Sequence, residues 1–235
     1  MAEVRALTAH HEFREAVRLQ RQIWGFDDID VVPARLFVVA TKIGGQALGA
    51  FEGERMVGFC IALPGVKRDG AAYLHSHMLG VLPEYRNAGI GRALKLAQRE
   101  DALARGIDLV EWTFDPLELK NAFFNIERLG AIARRYIHNQ YGATSSPLHG
   151  GLPTDRCVAE WWLRTERTSR CPASARVSVP ANVADLRTAD PERARAIQAA
   201  TGEALERAFA EGLAVIGFEI ADEAGTYLLG PWESQ

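Results

Sequence analysis

A chain of 235 residues is long enough to bury a full core, as one enlarged domain or two small ones. Its 48% apolar and 24% charged residues are those of an ordinary globular protein, and a net charge of -3 supplies no overall attraction for nucleic acid or anionic lipid. The opening "MAEVRALTAHHEFREAV" lacks the apolar stretch of a secretion signal, and no apolar run reaches membrane-spanning length. Cys60, Cys157 and Cys171 are too scattered for a zinc site or a disulfide framework, so the expectation is a cytoplasmic protein with reduced thiols and no metal.

"VRALTA" reads as a first strand and "HHEFREAVRLQRQIWG" as an amphipathic helix, with Phe13, Val17, Leu19 and Ile23 on its stripe and Gly25 as its stop. After the acidic loop "FDDID", "PARLFVVATKIGG" predicts a second helix with Pro33 in the first turn and Gly44 at the C-cap. "QALGAFEGERMVGFCIALPG" then splits at "EGER" into a hairpin. "AAYLHSHMLGV" is a further strand, "PEYRNAGIG" a loop, "RALKLAQREDALARG" a helix ending at Gly106, and "IDLVEWTF" a strand. "DPLELKNAFFNIERLG" predicts a helix with Asp115 as N-cap before Pro116; "AIARRYI" and "RCVAEWWLR" are strands separated by the long loop "GATSSPLHGGLPTD". In the tail, "SRCPASARVSVPANV" reads as a loop, Pro191 to Gly212 as an Ala-rich helix, and "LAVIGFEI" with "TYLLG" as a terminal hairpin. Strands with helices interposed predict a mixed α/β sheet.

The chemistry concentrates in "RNAGIG", where a strand meets a helix. A P-loop would need GxxxxGK[ST], and a dinucleotide fingerprint would need a third glycine where Leu94 stands. What remains is R-x-x-G-x-G at a helix N-terminus. Unpaired amides and the helix dipole favour an anion there, glycines permit close backbone approach, and Arg86 and Arg92 add charge. Taken alone, this pattern is equally that of a plain turn into a helix.

"VLPEYRNAGIG", Val81 to Gly91, resembles motif A of the GNAT superfamily of acyl-CoA-dependent N-acyltransferases, and "DPLELKNAFFNIERLGA" resembles its motif B. The resemblance spans roughly Val4 to Arg164. It implies an α/β (α+β) fold with a mixed, mostly antiparallel sheet, helices on both faces, and a V-shaped splay between central strands for acyl-CoA. It divides the chain into a catalytic domain, 1–164, and a C-terminal extension, 165–235, of a helix and a β-hairpin that either completes an acceptor pocket or forms a homodimer surface. The implied activity is transfer of an acetyl or other acyl group from acetyl-CoA to an amine of a small molecule. Neither nucleic acid nor membrane is expected as a partner. The alternative is an acyl-CoA binder or sensor without catalysis.

By the same resemblance, backbone of Leu79, Gly80 and Val81 pairs with the pantetheine arm. Amides of Asn87, Ala88, Gly89, Ile90 and Gly91 hold the pyrophosphate with Arg86, and Asn121 of motif B contacts the cofactor. Acyl transfer needs a base for the attacking amine and an acid for the departing thiolate. In "HSH", His75 and His77 share one face of their strand, and His75 falls where some family members carry a glutamate base. Glu111 is a second base candidate. The family's usual acid, a tyrosine four residues before the motif B glycine, is Ile126 here, so Asn125, Tyr136, Tyr141 or water must protonate the sulfur. For the acceptor, Asp27, Asp28 and Asp30 are candidates to attract a cationic amine. Trp24, Phe37, Trp161 and Trp162 are candidates to line an apolar pocket, although acidic loops and large aromatics more often serve solvent and core.

Overall fold

The computed structural model describes residues 2–142, 150–165 and 172–232. The chain forms two compact units, Met1–Glu111 and Trp112–Gln235. The division falls within a strand.

The first unit runs β1 (Glu3–Ala6), α1 (His10–Trp24), α2 (Ala34–Lys42), β2 (Gln46–Glu52), β3 (Arg55–Val66), β4 (Ala72–Val81), a 3-10 turn (Pro83–Tyr85), α3 (Ile90–Ala104) and the start of β5 (Leu109–Phe114). Strands β1 to β4 pair antiparallel in sequence order, and β5 pairs parallel to β4. The expected stripe of α1 buries Phe13, Leu19 and Ile23, and Gly25 ends the helix at φ 66°. Pro33 precedes α2 rather than entering it, with an extended ψ of 154°, because its fixed φ suits the flanking position equally well.

Helices cover both faces of this sheet. On one face α1 and α2 set Phe13, Leu19 and Phe37 against Phe59 and Ile61; on the other, Ile90 and Leu94 of α3 meet Leu48, Ala50, Val57 and Cys60. Each large apolar side chain buried here is worth about 1.5–3 kcal/mol. At the start of α1 Glu12 reaches back to accept from Ala9 N at 3.0 Å and Thr8 N at 2.8 Å, whereas α2 has no side-chain N-cap bond and is held by apolar burial.

The second unit contains the rest of β5, α4 (Leu119–Phe123) running into a π-helical turn (Phe124–Arg128), β6 (Ile132–Ile137), β7 (Arg156–Trp162), β8 (Ala175–Pro180), α5 (Val183–Ala189), α6 (Pro191–Ala210), β9 (Leu213–Ile220) and β10 (Ala224–Pro231). Its strand order is β5-β7-β6-β9-β10-β8. The terminal hairpin β9–β10 is present, and Val215 of β9 pairs with Ala133 of β6, so the tail adds strands to this sheet.

Two further expectations need correction. Asp115 does not cap the motif B helix: its Oδ1 accepts from Leu117 N at 2.8 Å in an Asx turn, and the helix starts four residues later at Leu119. The segment read as a loop after Arg164 contains β8, whose alternation buries Val177 and Val179, and the following α5 was not expected. Residues 143–149 of the long loop, and Cys171, lie outside the described residues. The loop's described flanks are pinned, with Asn139 N donating to Asp155 Oδ1 at 2.9 Å and Tyr141 N to Thr154 Oγ1 at 2.9 Å. No helix among the described residues is long and apolar enough to cross a membrane.

Candidate active site

The loop between β4 and α3 has the backbone of an anion cradle. Asn87 (φ 63°) and Gly89 (φ 81°) alternate left-handed residues just before the first turn of α3, which turns successive amides to one side. The first N–H groups of α3 have no intrahelical acceptor, and the dipole adds partial positive charge. A Cβ at Gly89 would meet nothing within 4 Å, so glycine answers the backbone angle there rather than a lack of space. Arg86, Asn87, Ala88 and Gly89 are exposed, Ile90 is buried in the α3 core and Gly91 is half-buried. The Arg86 side chain folds back, its Nε donating to Val81 O at 3.5 Å.

Upstream, β4 carries two different faces. Leu79 and Val81 pack against α3, while Gly80 lies beneath α1, where a Cβ would come within 2.7 Å of Trp24 and 2.8 Å of Ile23. The β3–β4 register jumps from Ala62↔Ser76 to Ile61↔Met78, leaving His77 as the extra residue of a β-bulge. The parallel ladder between β4 and β5 consists of Leu74↔Val110 and His75↔Glu111, whereas β4 itself continues to Val81.

His75 and His77 are brought together, their ring centroids 6.1 Å apart and both half-buried. Burial lowers the pKa of both below the usual histidine range. For His75 the charges of His77, Lys95 and Lys67 push the same way, and Glu111 opposes them. A histidine held neutral at physiological pH is competent to accept a proton. Glu111 stands across the ladder from His75, and its Oε1 lies 2.5 Å from Lys67 Nζ.

Beneath this row, Ser76 points to the opposite face. Its Oγ accepts from Lys95 Nζ at 2.8 Å, and Lys95 also donates to Gln98 Oε1 at 3.0 Å. Lys95 is 3% exposed, and burial lowers its pKa to about 7. Lys67 and Lys95 were not singled out from the sequence. Lys67 lies 44 residues from its partner, and a lysine inside a helical stripe reads as a solvated position.

In the second unit, Asn121 is exposed on α4. The π turn closes with Leu129 N donating to Phe124 O, five residues back, at 3.0 Å. Such turns cluster at functional sites. Ile126 is fully buried, and Asn125, 2% exposed, has an amide nitrogen with no hydrogen-bond partner among the described residues. Tyr136 donates to Asp155 Oδ2 at 2.8 Å, and burial with that carboxylate raises its pKa, so it holds its proton. The Tyr141 hydroxyl is 2.7 Å from Thr113 Oγ1.

Among the acceptor candidates, Asp28 is paired with Arg21 at 2.6 Å, which cancels much of its pull on a cationic amine. Arg14, Arg21 and Asp28 line a depression of about 260 Å³ at the start of α2, and neither histidine of β4 is among its lining residues. Phe37 and Trp161 are core residues, Trp161 meeting Trp112 edge to face. Trp162 is half-buried beside Trp232, and Trp24 is half-buried against Phe26 and Phe59. Among the described residues, no group of three or more His, Cys, Asp or Glu could hold a metal ion.

Solved structures share this fold. A protein of the GNAT family from Desulfovibrio desulfuricans matches with a TM-score of 0.56 and 17% identity, over 69% of this chain and 99% of its own. Aminoglycoside 6'-acetyltransferase type Ii matches with 0.55 and 17%, over 70% and 99%. The yncA protein of Salmonella typhimurium, solved with its cofactor acetyl-CoA, matches with 0.54 and 14%, over 74% and 99%. No curated protein matches the chain in sequence. The acetyltransferase (GNAT) family model matches residues 11–130, which spans the helices α1 and α2, the strand β4 with its histidines, the anion cradle and motif B through Gly130. With more than half its length in that match, the chain belongs to the acetyltransferase (GNAT) family, whose members move an acyl group from acetyl-CoA to an amine.

Proposed function

We propose that the protein acetylates the amino group of a small molecule, that the cradle before α3 takes the pyrophosphate of acetyl-CoA, and that His75 is the base. The observation that carries this reading is the pair of left-handed residues, Asn87 and Gly89, feeding exposed amides into the first turn of α3. Such a cradle fits a diphosphate, and Arg86 beside it supplies an exposed cation. The family pattern assigns backbone of Leu79 to Val81 to the pantetheine arm and adds Asn121 from motif B. On the same pattern, residues 1–164 form the catalytic portion and 165–235 the extension. The buried free thiols Cys60 and Cys157 support a reducing, cytoplasmic setting.

Acetyl-CoA supplies the activated thioester. A primary amine is an ammonium ion at neutral pH, so its nitrogen has no lone pair until a base removes a proton. His75, neutral because it is partly buried, takes that proton, and His77 and Glu111 flank it. The freed nitrogen attacks the thioester carbonyl carbon, the carbon–sulfur bond breaks, and the second proton shed by the nitrogen passes through water to the departing thiolate. Ile126 cannot donate, and Tyr136 is committed to Asp155. Positioning carries most of the acceleration in such a reaction.

Calorimetric titration with acetyl-CoA and CoA tests the cradle. Micromolar binding that is lost in the Arg86→Ala, Gly89→Ala double variant is expected, and undiminished affinity in that variant would refute the assignment. A screen of small amines for thiol release then identifies the acceptor.

A further inference from the structure

The face of β4 that carries the histidines also carries a charged and aromatic chain that the family motifs do not contain. The Tyr73 ring occupies the space that a side chain at residue 65 would need, since a Cβ on Gly65 would lie 2.4 Å from Tyr73 Cε1. Lys67 Nζ sits 4.5 Å from the centre of that ring. The turn presenting it is tied down by Lys67 N donating to Ala71 O at 2.8 Å and Gly70 N to Lys67 O at 2.9 Å. From there the ammonium reaches Glu111 Oε1 at 2.5 Å, and Glu111, only 4% exposed, faces His75 across the ladder.

We propose that Lys67 is a positioning residue for acyl transfer: seated on Tyr73, it compensates the buried carboxylate of Glu111 and so sets how firmly Glu111 holds a proton on His75. This rests on the reading of His75 as the base. Glu111 already accepts from Lys67 Nζ, so it serves the imidazolium as a fixed counter-charge rather than the amine as a base. Removing Lys67 takes away a cation that touches this buried carboxylate, which strengthens the pull of Glu111 on a proton at His75. The midpoint of the histidine then rises, and less of it is neutral and usable as a base. The remaining charged groups acting on His75 are His77 on the same strand and Lys95 from α3, and both oppose protonation. Among the described residues Glu111 is the anion acting on His75, which makes the cation at its carboxylate the group to change.

The test is the titration of His75 in the full-length protein, followed by NMR of the imidazole protons of the six histidines and assigned with His75→Gln and His77→Gln. Lys67→Met should move the His75 midpoint upward and Glu111→Gln should move it downward, while Lys67→Arg should restore the wild-type value. The acid limb of the kcat/KM profile should follow each shift, with the plateau kept. Lys67→Gln, which keeps the turn polar, provides a second charge-removing variant if the methionine form folds poorly. An unmoved midpoint in both, or a shift in the same direction as Glu111→Gln, overturns the inference. If midpoints shift as stated but His75→Gln leaves turnover intact, the assignment of the base fails and the positioning role fails with it. If His75→Gln abolishes turnover and Lys67→Met shifts nothing, the acetyltransfer reading stands and only the role of Lys67 falls.

Discussion

Replacing Lys95 with methionine should remove a pH dependence of stability that the native chain carries. Lys95 lies 3% exposed under β4, and burial lowers its pKa from the ordinary 10.5 to about 7. Between those values the unfolded chain holds a proton on this residue and the native state does not. Stability therefore rises with pH across that window, by about 1.4 kcal/mol per pH unit, and the gain is absent below pH 7. Cys60 acts in the opposite sense: burial raises its thiol to about 12, so the unfolded chain ionises first and stability falls above pH 9. His75 and His77, lowered by burial, complete their contribution below pH 7. The clean interval is pH 7 to 9, where Lys95 alone contributes about 3 kcal/mol. Urea unfolding at pH 7, 8 and 9 reads this directly. The wild-type free energy should climb by roughly that amount while Lys95→Met stays nearly flat. The variant loses the bonds to Ser76 and Gln98 but no longer confines a charge at pH 7, so the two curves should converge or cross near neutrality. Parallel curves for the two proteins would refute the reasoning.

Gly89→Ala should cost about 1–2 kcal/mol of stability through its left-handed φ of 81° alone and should weaken CoA binding, whereas Gly89→Asn should lose less of both; calorimetry and thermal unfolding distinguish them. Asn125→Leu should stabilise the chain by about 1 kcal/mol or more, because it removes a buried amide donor that has no partner among the described residues; destabilisation on urea unfolding would count against that account. Arg187→Met should destabilise by about 3–5 kcal/mol, since Arg187 is buried against Asp115 at 2.9 Å and Glu118 at 2.7 Å; a loss below 1 kcal/mol would show the pair to be dispensable. Gly65→Ala should displace the Tyr73 ring at a cost of about 1–3 kcal/mol, visible as a changed tyrosine environment in near-ultraviolet circular dichroism.

Most elements were legible because local signals agreed. The stripe of α1 and its Gly25 stop, the "EGER" turn, and the Gly106 stop of α3 each combine hydrophobic period with turn chemistry, and the structure keeps all three. The misreadings came where one signal had two meanings. Asp-Pro is the signature of a helix start, but Asp115 uses its oxygen on Leu117 N and on Arg187, a partner 72 residues away. Serine and proline around "ARVSVP" concealed a period-two strand whose inward residues, Val177 and Val179, are supported by β10. Propensity is a weak prior against such pairing. The π turn left no trace at all, because the spacing that would reveal it is the α-helical spacing from which the tyrosine position was counted.

For the site, sequence was sufficient where the backbone does the work and insufficient where distant side chains do. The cradle is encoded in six consecutive residues, Arg86 to Gly91, because the conformation of Asn87 and Gly89 is a local property and a helix N-terminus needs nothing from afar. "HSH" likewise put two histidines on one face by alternation, and they stand 6.1 Å apart. What decides their chemistry is non-local. Lys67 reaches Glu111 only because the β3–β4 hairpin folds back and β5 arrives in parallel beside it. Lys95 reaches Ser76 only because α3 returns across the sheet. A glutamate and two lysines 44 and 16 residues from it cannot be weighted from the chain alone. Once the ladder sets His75 opposite Glu111, the sign of each charge's effect on the histidine follows. Of the candidates His75, His77 and Glu111, the proposed base is the histidine that faces the carboxylate across the ladder, and the lysine bound to that carboxylate is the group to perturb.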